Sequence, residues 1–400
     1  MEVGTEHLIV RFVDKVLQLL DSSQGRTAVI SAAVDWQSAF DRIDPTCAVK
    51  KFLSLGVRVT LIPLLISYLT GRQMIVKYDG AWSKPRSLVG GVPQGSILAG
   101  TEYLVTSDDC PPVPGKAEDT AEAPEPIDKY SYYDDLNTIE LLILSELLVE
   151  YDFRSHVASD IGLHNLFLPP QATHTQEALH NISEWTKNNL MRLNESKSNY
   201  IIFTRTKQEF SSRLKLNDDN LERVSVTKIL GVWLQEDLKW EENTKQICIK
   251  AYSRVSILCK LKYVGICIED LLTIYMLFIR SVTEYCSVVF HSGLTEAQTN
   301  KLESIQRTCL RVILAKNYVS YEAALEMCNL QRLETRRESR LLTFSLRCIK
   351  NQFNSHMFPL NLKGHRKEKF KVNFARTSAY KNSCLVKCQE ALNEHFKPSK

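Results

Sequence analysis

Leu8, Phe12, Val16 and Leu19, with Ile9, Val13, Leu17 and Leu20 beside them, recur every three to four positions, which predicts an amphipathic helix over residues 6–20. The polar stretch SSQGR ends it. TAVISAAVDW then has the small and β-branched apolar character of a buried strand and carries Asp35 at its C-terminal end. Asp44-Pro45 is an N-cap and first-turn pair that opens a helix running to Gly56, and a second helix follows to about Gly71. Two strand-like runs in QMIVKYDGAWSKPRSLV flank Asp79-Gly80, a dipeptide that tolerates positive φ, so this segment reads as a hairpin. The glycine-rich GGVPQGSILAG comes next. Residues 107–128, rich in Pro, Glu, Asp and Ala, cannot bury a core and read as a flexible loop. Further on, Leu179, Ile182 and Trp185 mark a helix over about 174–191, NYIIFT reads as a strand and VTKILGVWLQ as a strand pair. From Trp240 the pattern lengthens into helices, among them IEDLLTIYMLFIRSVTEY and EAQTNKLESIQRTCLRVIL. The order is therefore mixed α and β to about residue 240 and helical beyond it, without an internal repeat.

Composition adds less than pattern, with two exceptions. The 400 residues are 44% hydrophobic and 24% charged, enough for two or three domains, and the net charge is only +4. That charge is uneven: residues 301–400 hold 20 Lys or Arg against 8 Glu and no Asp, a net +12 that suits a polyanionic partner as well as a solvated surface. The 11 cysteines are odd in number and scattered, which reads as reduced thiols in an intracellular protein, nuclear or cytoplasmic. Cys384 and Cys388 form a CxxxC pair without neighbouring His or Cys, a weak zinc pattern. VTLIPLLISYLTG is too short for a bilayer, which takes about 20 residues, and the first residues lack a secretory pattern, so no membrane partner is expected.

The chemistry centres on KYSYYDDLNT, where Asp134 and Asp135 are adjacent between an aromatic and an aliphatic run. Adjacent carboxylates either sit in a solvated turn, as Asp108-Asp109 does in the Pro-rich loop, or need a cation. If the strand that ends at Asp35 neighbours this turn, three hard oxygen donors converge on one point and suit Mg²⁺. Two such ions, about 3.5–4 Å apart, can activate a hydroxyl and stabilise a leaving pyrophosphate in an in-line phosphoryl transfer. A metal-dependent nuclease would use the same carboxylates, but it leaves GVPQGSIL and KILGVWL unaccounted for.

Five ordered motifs resemble those of the reverse transcriptases of non-LTR retrotransposons. VDWQSAFDRID (34–44) resembles their first palm motif, GVPQGSIL (91–98) the second, YYDDL (132–136) the catalytic turn, RLNESKSNYIIF the next, and KILGVWL the strand pair that grips the primer. The resemblance covers roughly residues 6–320 and implies an α+β fold: a right-hand polymerase palm, with a ferredoxin-like antiparallel sheet and helices, partial fingers and a helical thumb. On this reading residues 1–240 are palm and partial fingers, 241–320 the thumb, and 321–400 a basic C-terminal extension. The implied activity is RNA-directed DNA polymerisation, with two Mg²⁺ ions or Mn²⁺ as a substitute, an RNA template, a DNA primer and dNTPs; the oligomeric state is left open.

Residue by residue, the resemblance makes Asp35 and Asp134 metal ligands supported by Asp135, and gives Lys197 the leaving pyrophosphate. Phe40 would lie under the incoming sugar and exclude a 2′-hydroxyl, although on its own it reads equally as a core aromatic after a strand. Gly91 and Gly95 would let the backbone approach the template–nucleotide pair, with Pro93 between them, Gln94 and Ser96 as polar contacts and Tyr132 and Tyr133 beside the catalytic turn. Leu230, Gly231 and Val232 would form the primer grip, with Trp233 packing. Ala99-Gly100 departs from the family's usual Gly-Pro. The resemblance also leaves no room for the first fingers motifs in the 34 residues ahead of Asp35, which implies N-terminal truncation. A catalytically inactive, retrotransposon-derived nucleic-acid-binding remnant is the alternative reading.

Overall fold

The computed structural model describes residues 5–22, 28–34, 36–38, 40–93, 96–107, 110, 149–150, 173–205, 213–351, 354–361 and 369–397. Helix α1 (Thr5–Ser22) buries the predicted stripe, Ile9, Val13, Val16 and Leu20 among it, and strand β1 (Ala28–Ala33) is buried almost throughout. Helix α2 (Pro45–Ser54) starts where expected: the Asp44 carboxylate accepts from the Cys47 N–H at 2.9 Å, satisfying one of the free amides of the first turn. Helix α3 (Ile62–Leu69) follows a short 3₁₀ turn.

The predicted hairpin is longer than its turn. Its base pairs β2 (Gln73–Met74) with β5 (Arg86–Ser87), and its tip pairs β3 (Lys77–Tyr78) with β4 (Ala81–Trp82) around Asp79 and Gly80, both at positive φ. Helix α4 (Ile97–Ser107) comes next, then the short strand β6 (Val149–Glu150) and helix α5 (Thr173–Asn188). Strand β7 (Asn199–Thr204) coincides with NYIIFT, and a small hairpin of β8 (Lys215–Leu216) and β9 (Asp219–Asn220) leads into β10 (Glu222–Val224).

The main sheet has the order β10-β7-β1-β6. β1 is antiparallel to both neighbours, running Ala28↔Thr204 to Ala33↔Asn199 against β7, whereas β10 is parallel to β7. A separate hairpin joins β11 (Val226–Ile229) to β12 (Val232–Gln235), as VTKILGVWLQ predicts. The architecture is α+β.

Beyond Trp240 come α6 (Glu241–Tyr263), α7 (Ile268–Ile274), a π-helical stretch over 275–280, α8 (Ser281–Glu284) and α9 (Ser287–Phe290). Then follow α10 (Glu296–Leu314), α11 (Tyr321–Met327), α12 (Leu333–Lys350), α13 (Ser378–Lys381) and α14 (Cys384–His395). Helix α10 begins at a capping box, in which Thr295 and Gln298 satisfy each other's backbone amides. Described helices of the last quarter contribute to the largest core, which also contains one face of α1, Ile201 and Phe203 of β7, and Val232 and Leu234 of β12.

Two polar contacts tie α1 to this region. The Asp21 carboxylate accepts from the Arg376 and Thr377 amides and the Thr377 hydroxyl, and these bonds hold it below the usual carboxylate range although burial opposes them. Arg340 pairs with Glu6 at 2.9 Å. A second core lies on the other side of β1: Ile30, Phe40, Ile43, Tyr103, Leu179, Trp185 and Ile202 belong to it. No single described helix is long and apolar enough to cross a membrane.

Candidate active site

The first motif leaves β1 through Val34 and Trp36, both buried. Trp36 bridges Leu193 in antiparallel fashion, the Gln37 amide donates to the Arg192 carbonyl at 2.9 Å, and the Trp36 ring stands edge-on to Trp185 at 5.6 Å. With Ala33↔Asn199, these contacts bring the start of RLNESKSNYIIF against Trp36 and Gln37. Asp35, Asp134, Asp135, Gln94, Gly95, Tyr132 and Tyr133 lie outside the described residues, as does most of the Pro-rich loop with Asp108 and Asp109. Lys197 is exposed in the turn before β7, its amide donating to the Asn194 carbonyl at 3.2 Å.

The glycine motif packs on the turn that follows the first motif. Gly91 donates to the Ile43 carbonyl and Val92 to the Phe40 carbonyl, each at 2.8 Å. Gly91 has φ +80°, and a Cβ placed there would lie 2.8 Å from both Cα and O of Asp41. The protein's own backbone thus leaves no space for a side chain at this position. The Arg72 guanidinium fastens the same segment by donating to the Gly90 and Gly91 carbonyls. Ser96 also has an internal partner: its Oγ lies 2.5 Å from the Tyr68 hydroxyl and accepts from the Ala99 amide at 3.1 Å, capping the start of α4. The Pro93 carbonyl accepts from the Ser96 amide at 3.2 Å.

Phe40 is only 2% exposed and stacks on Tyr103 with ring centroids 5.4 Å apart. Next to Tyr103 in α4 is a residue with no motif to announce it. Glu102 is fully buried, and neither carboxylate oxygen has a hydrogen-bond partner among the described residues. Burial pushes its pKa up to about 7, against the pull of the Arg72 charge.

The β11–β12 turn is built from Leu230 and Gly231, at φ +46° and +84°. The Tyr285 hydroxyl donates to the Leu230 carbonyl at 2.9 Å, and a Cβ on Gly231 would come within 3.0 Å of the Tyr285 ring, so the helical region clamps this turn. Val232 is buried in the large core, and the Trp233 amide donates to Asn243 at 3.2 Å. Cys384 and Cys388 lie in that core with their sulfurs 3.8 Å apart, and burial pushes the Cys384 thiol well up. Among the described residues no group of three or more His, Cys, Asp or Glu is placed to hold a metal ion.

No protein-family model matches the chain. Comparison with curated proteins defines a class, the RNA-directed DNA polymerases of mobile elements. The chain is 27% identical over 253 residues to the probable RNA-directed DNA polymerase from transposon BS of Drosophila melanogaster, covering 63% of this chain and 25% of that protein. It is 26% identical over 251 residues to that from transposon X-element of the same species, covering 62% and 23%. It is 32% identical over 111 residues to the RNA-directed DNA polymerase from mobile element jockey of Drosophila funebris, covering 28% and 12%. The chain is thus homologous to the non-LTR retrotransposon polymerases that its motifs resemble. The matched stretch spans about a quarter of the length of the first two relatives.

Proposed function

We propose that this chain carries the catalytic core of an RNA-directed DNA polymerase, which adds deoxynucleotides to a primer 3′-hydroxyl on an RNA template. The observation that carries the reading is the junction of three motifs around β1: the antiparallel pairing with β7 and the Trp36–Leu193 bridge join the first motif to the fourth, and the Gly91 and Val92 amides join the second to the same turn. Homology to polymerases named for this activity supports it.

In this reading residues 1–240 act as palm with partial fingers, 241–320 as thumb and 321–400 as a basic extension. Asp35, Asp134 and Asp135 offer an all-carboxylate donor set, which suits Mg²⁺. When bound, two such ions would lower the pKa of the primer hydroxyl and neutralise charge on the leaving pyrophosphate. Lys197, exposed ahead of β7, adds a cation for that pyrophosphate. Phe40, held in the core against Tyr103, would support the floor of the sugar site from beneath, and Gln94 and Gly95 would line the nucleotide with Ser96 anchoring the start of α4. Tyr132 and Tyr133 flank the catalytic turn. The Leu230–Val232 turn, clamped by Tyr285, grips the primer strand.

The test is extension of a DNA primer annealed to RNA, with dNTPs and Mg²⁺, by the purified chain. Extension is expected with the native sequence and abolished in Asp134→Asn. Extension that survives this substitution overturns the two-metal assignment; a native chain that binds RNA but extends nothing favours the inactive remnant.

A further inference from the structure

The hairpin between α3 and α4 is a projecting arm. Every residue from 73 to 89 is exposed, and its two ladders are joined by mutual hydrogen bonds between Val76 and Ser83. The root is the part held down. The Leu88 amide donates to the Arg72 carbonyl at 2.9 Å, and the Arg72 side chain binds the Gly90 and Gly91 carbonyls, so the arm grows directly from the glycine motif.

What this arm exposes is unusual for a surface that meets only water. Tyr78 is 83% and Trp82 66% exposed, with Met74, Ile75 and Val76 each about half exposed beside them. Large aromatics left in solvent at the tip of a two-stranded arm gain nothing from folding, since an isolated hairpin is at best marginally stable. The charges around them are mostly positive. Arg72, Lys77, Lys84 and Arg86 face a single carboxylate, Asp79. Lys77 lies 5.0 Å from the centre of the Trp82 ring, so a cation is held beside the aromatic surface. Lys77 pairs with Trp82 and Tyr78 with Ala81, which puts the two aromatics on opposite faces of the ribbon.

We propose that this arm is a single-stranded nucleic-acid clasp: Tyr78 and Trp82 stack on unpaired bases while Lys77, Lys84 and Arg86 neutralise the backbone. Aromatic platforms among cations are what sequence-tolerant binding of single strands requires, because every base has a flat face and every nucleotide a phosphate. The charge complementarity selects nucleic acid over an apolar protein partner. The arm's root on the glycine motif makes the strand the incoming RNA template, and this last identification alone rests on the polymerase reading.

The probe is a fluorescently labelled single-stranded uridine homopolymer RNA, and the readout is anisotropy over a range of salt concentrations. Tyr78→Ala with Trp82→Ala is expected to weaken binding by about 10-fold or more, since each base–aromatic stack contributes about 1–3 kcal/mol. Tyr78→Phe with Trp82→Phe should restore most of it, and Leu64→Ala, an exposed apolar residue on α3, should change nothing. Lys84→Ala with Arg86→Ala should flatten the salt dependence, by about 0.7 in slope for each phosphate that is no longer neutralised. Unchanged affinity in the Tyr78/Trp82 alanine variant overturns the proposal. Unchanged RNA affinity with loss of self-association, read by sedimentation, assigns the arm to a protein interface instead. Primer extension on the same samples separates the two readings: extension without arm-dependent RNA binding removes the clasp alone, and arm-dependent binding without extension removes the polymerase reading alone.

Discussion

Substituting alanine at Gly91 separates a glycine kept for internal packing from one kept for a ligand, because the internal cost exists with no nucleic acid present. Two costs add. At φ +80° an L-residue is disfavoured by about 1–2 kcal/mol relative to glycine. The new methyl would also lie 2.8 Å from Cα and O of Asp41, which are backbone atoms and cannot rotate aside. Relieving that overlap stretches the Gly91–Ile43 and Val92–Phe40 hydrogen bonds, and overpacking of this kind costs about 1–3 kcal/mol. Gly91→Ala is therefore expected to lose about 2–5 kcal/mol. Gly80 supplies an internal control: its φ of +79° is nearly the same, but a Cβ there meets nothing within 4 Å, so Gly80→Ala should lose only the first contribution. The assay is urea unfolding without nucleic acid, followed by tryptophan fluorescence, to which Trp36 and Trp185 of the affected core contribute. Equal losses in the two variants would refute the packing argument and return Gly91 to a ligand-contact role.

Asp14 and Glu102 both have folded pKa values pushed up to about 7 by burial, against about 4 in an unfolded chain. The folded state then binds more protons between those values, so stability from these groups is fully present below about pH 4 and is lost as pH rises through about 7. Urea titrations of Asp14→Asn with Glu102→Gln should show a shallower decline from about pH 4 to 7 than the native chain; an unchanged decline would exclude both groups as its source. Glu303 accepts from the Tyr321 hydroxyl and from the Leu333 and Glu334 amides, the latter two at 3.2 and 3.4 Å, at the start of α12. Glu303→Ala strands these donors and should cost about 3 kcal/mol in thermal unfolding, with Glu303→Gln recovering part of it; an unaffected melting temperature would show that α12 does not depend on this carboxylate.

Features set by neighbouring residues were legible in the sequence. The Asp44-Pro45 start of α2, the Asp79-Gly80 turn, strand β7 and the span of α10 each depend on capping, turn chemistry or periodicity within a few positions. What could not be read was partner choice. The stripe on α1 announces that a face is buried, but nothing in it specifies helices more than 300 residues away. The π-helical stretch over 275–280 is likewise invisible in IEDLLTIYMLFIRSVTEY, whose periodicity describes one continuous helix. At the candidate site, the order of the motifs was plain, whereas Arg72 and Tyr68, which bond the glycine motif, Tyr103, which stacks on Phe40, and the buried Glu102 belong to no motif. Gly91 was recognised as constrained, but the Asp41 backbone that crowds it, fifty residues earlier, was not visible in the motif.

The bonds between Asp21 and the Arg376–Thr377 backbone set a timetable for the nascent chain. They join positions 355 and 356 residues apart. At synthesis rates of about 5–20 residues per second, the first helix leaves the ribosome roughly 20–70 s before its last partners exist. During that interval the Ile9, Val13 and Val16 face of α1 must stay uncovered or be sheltered by a chaperone. Assembly of the largest core is therefore a late event that waits on translation.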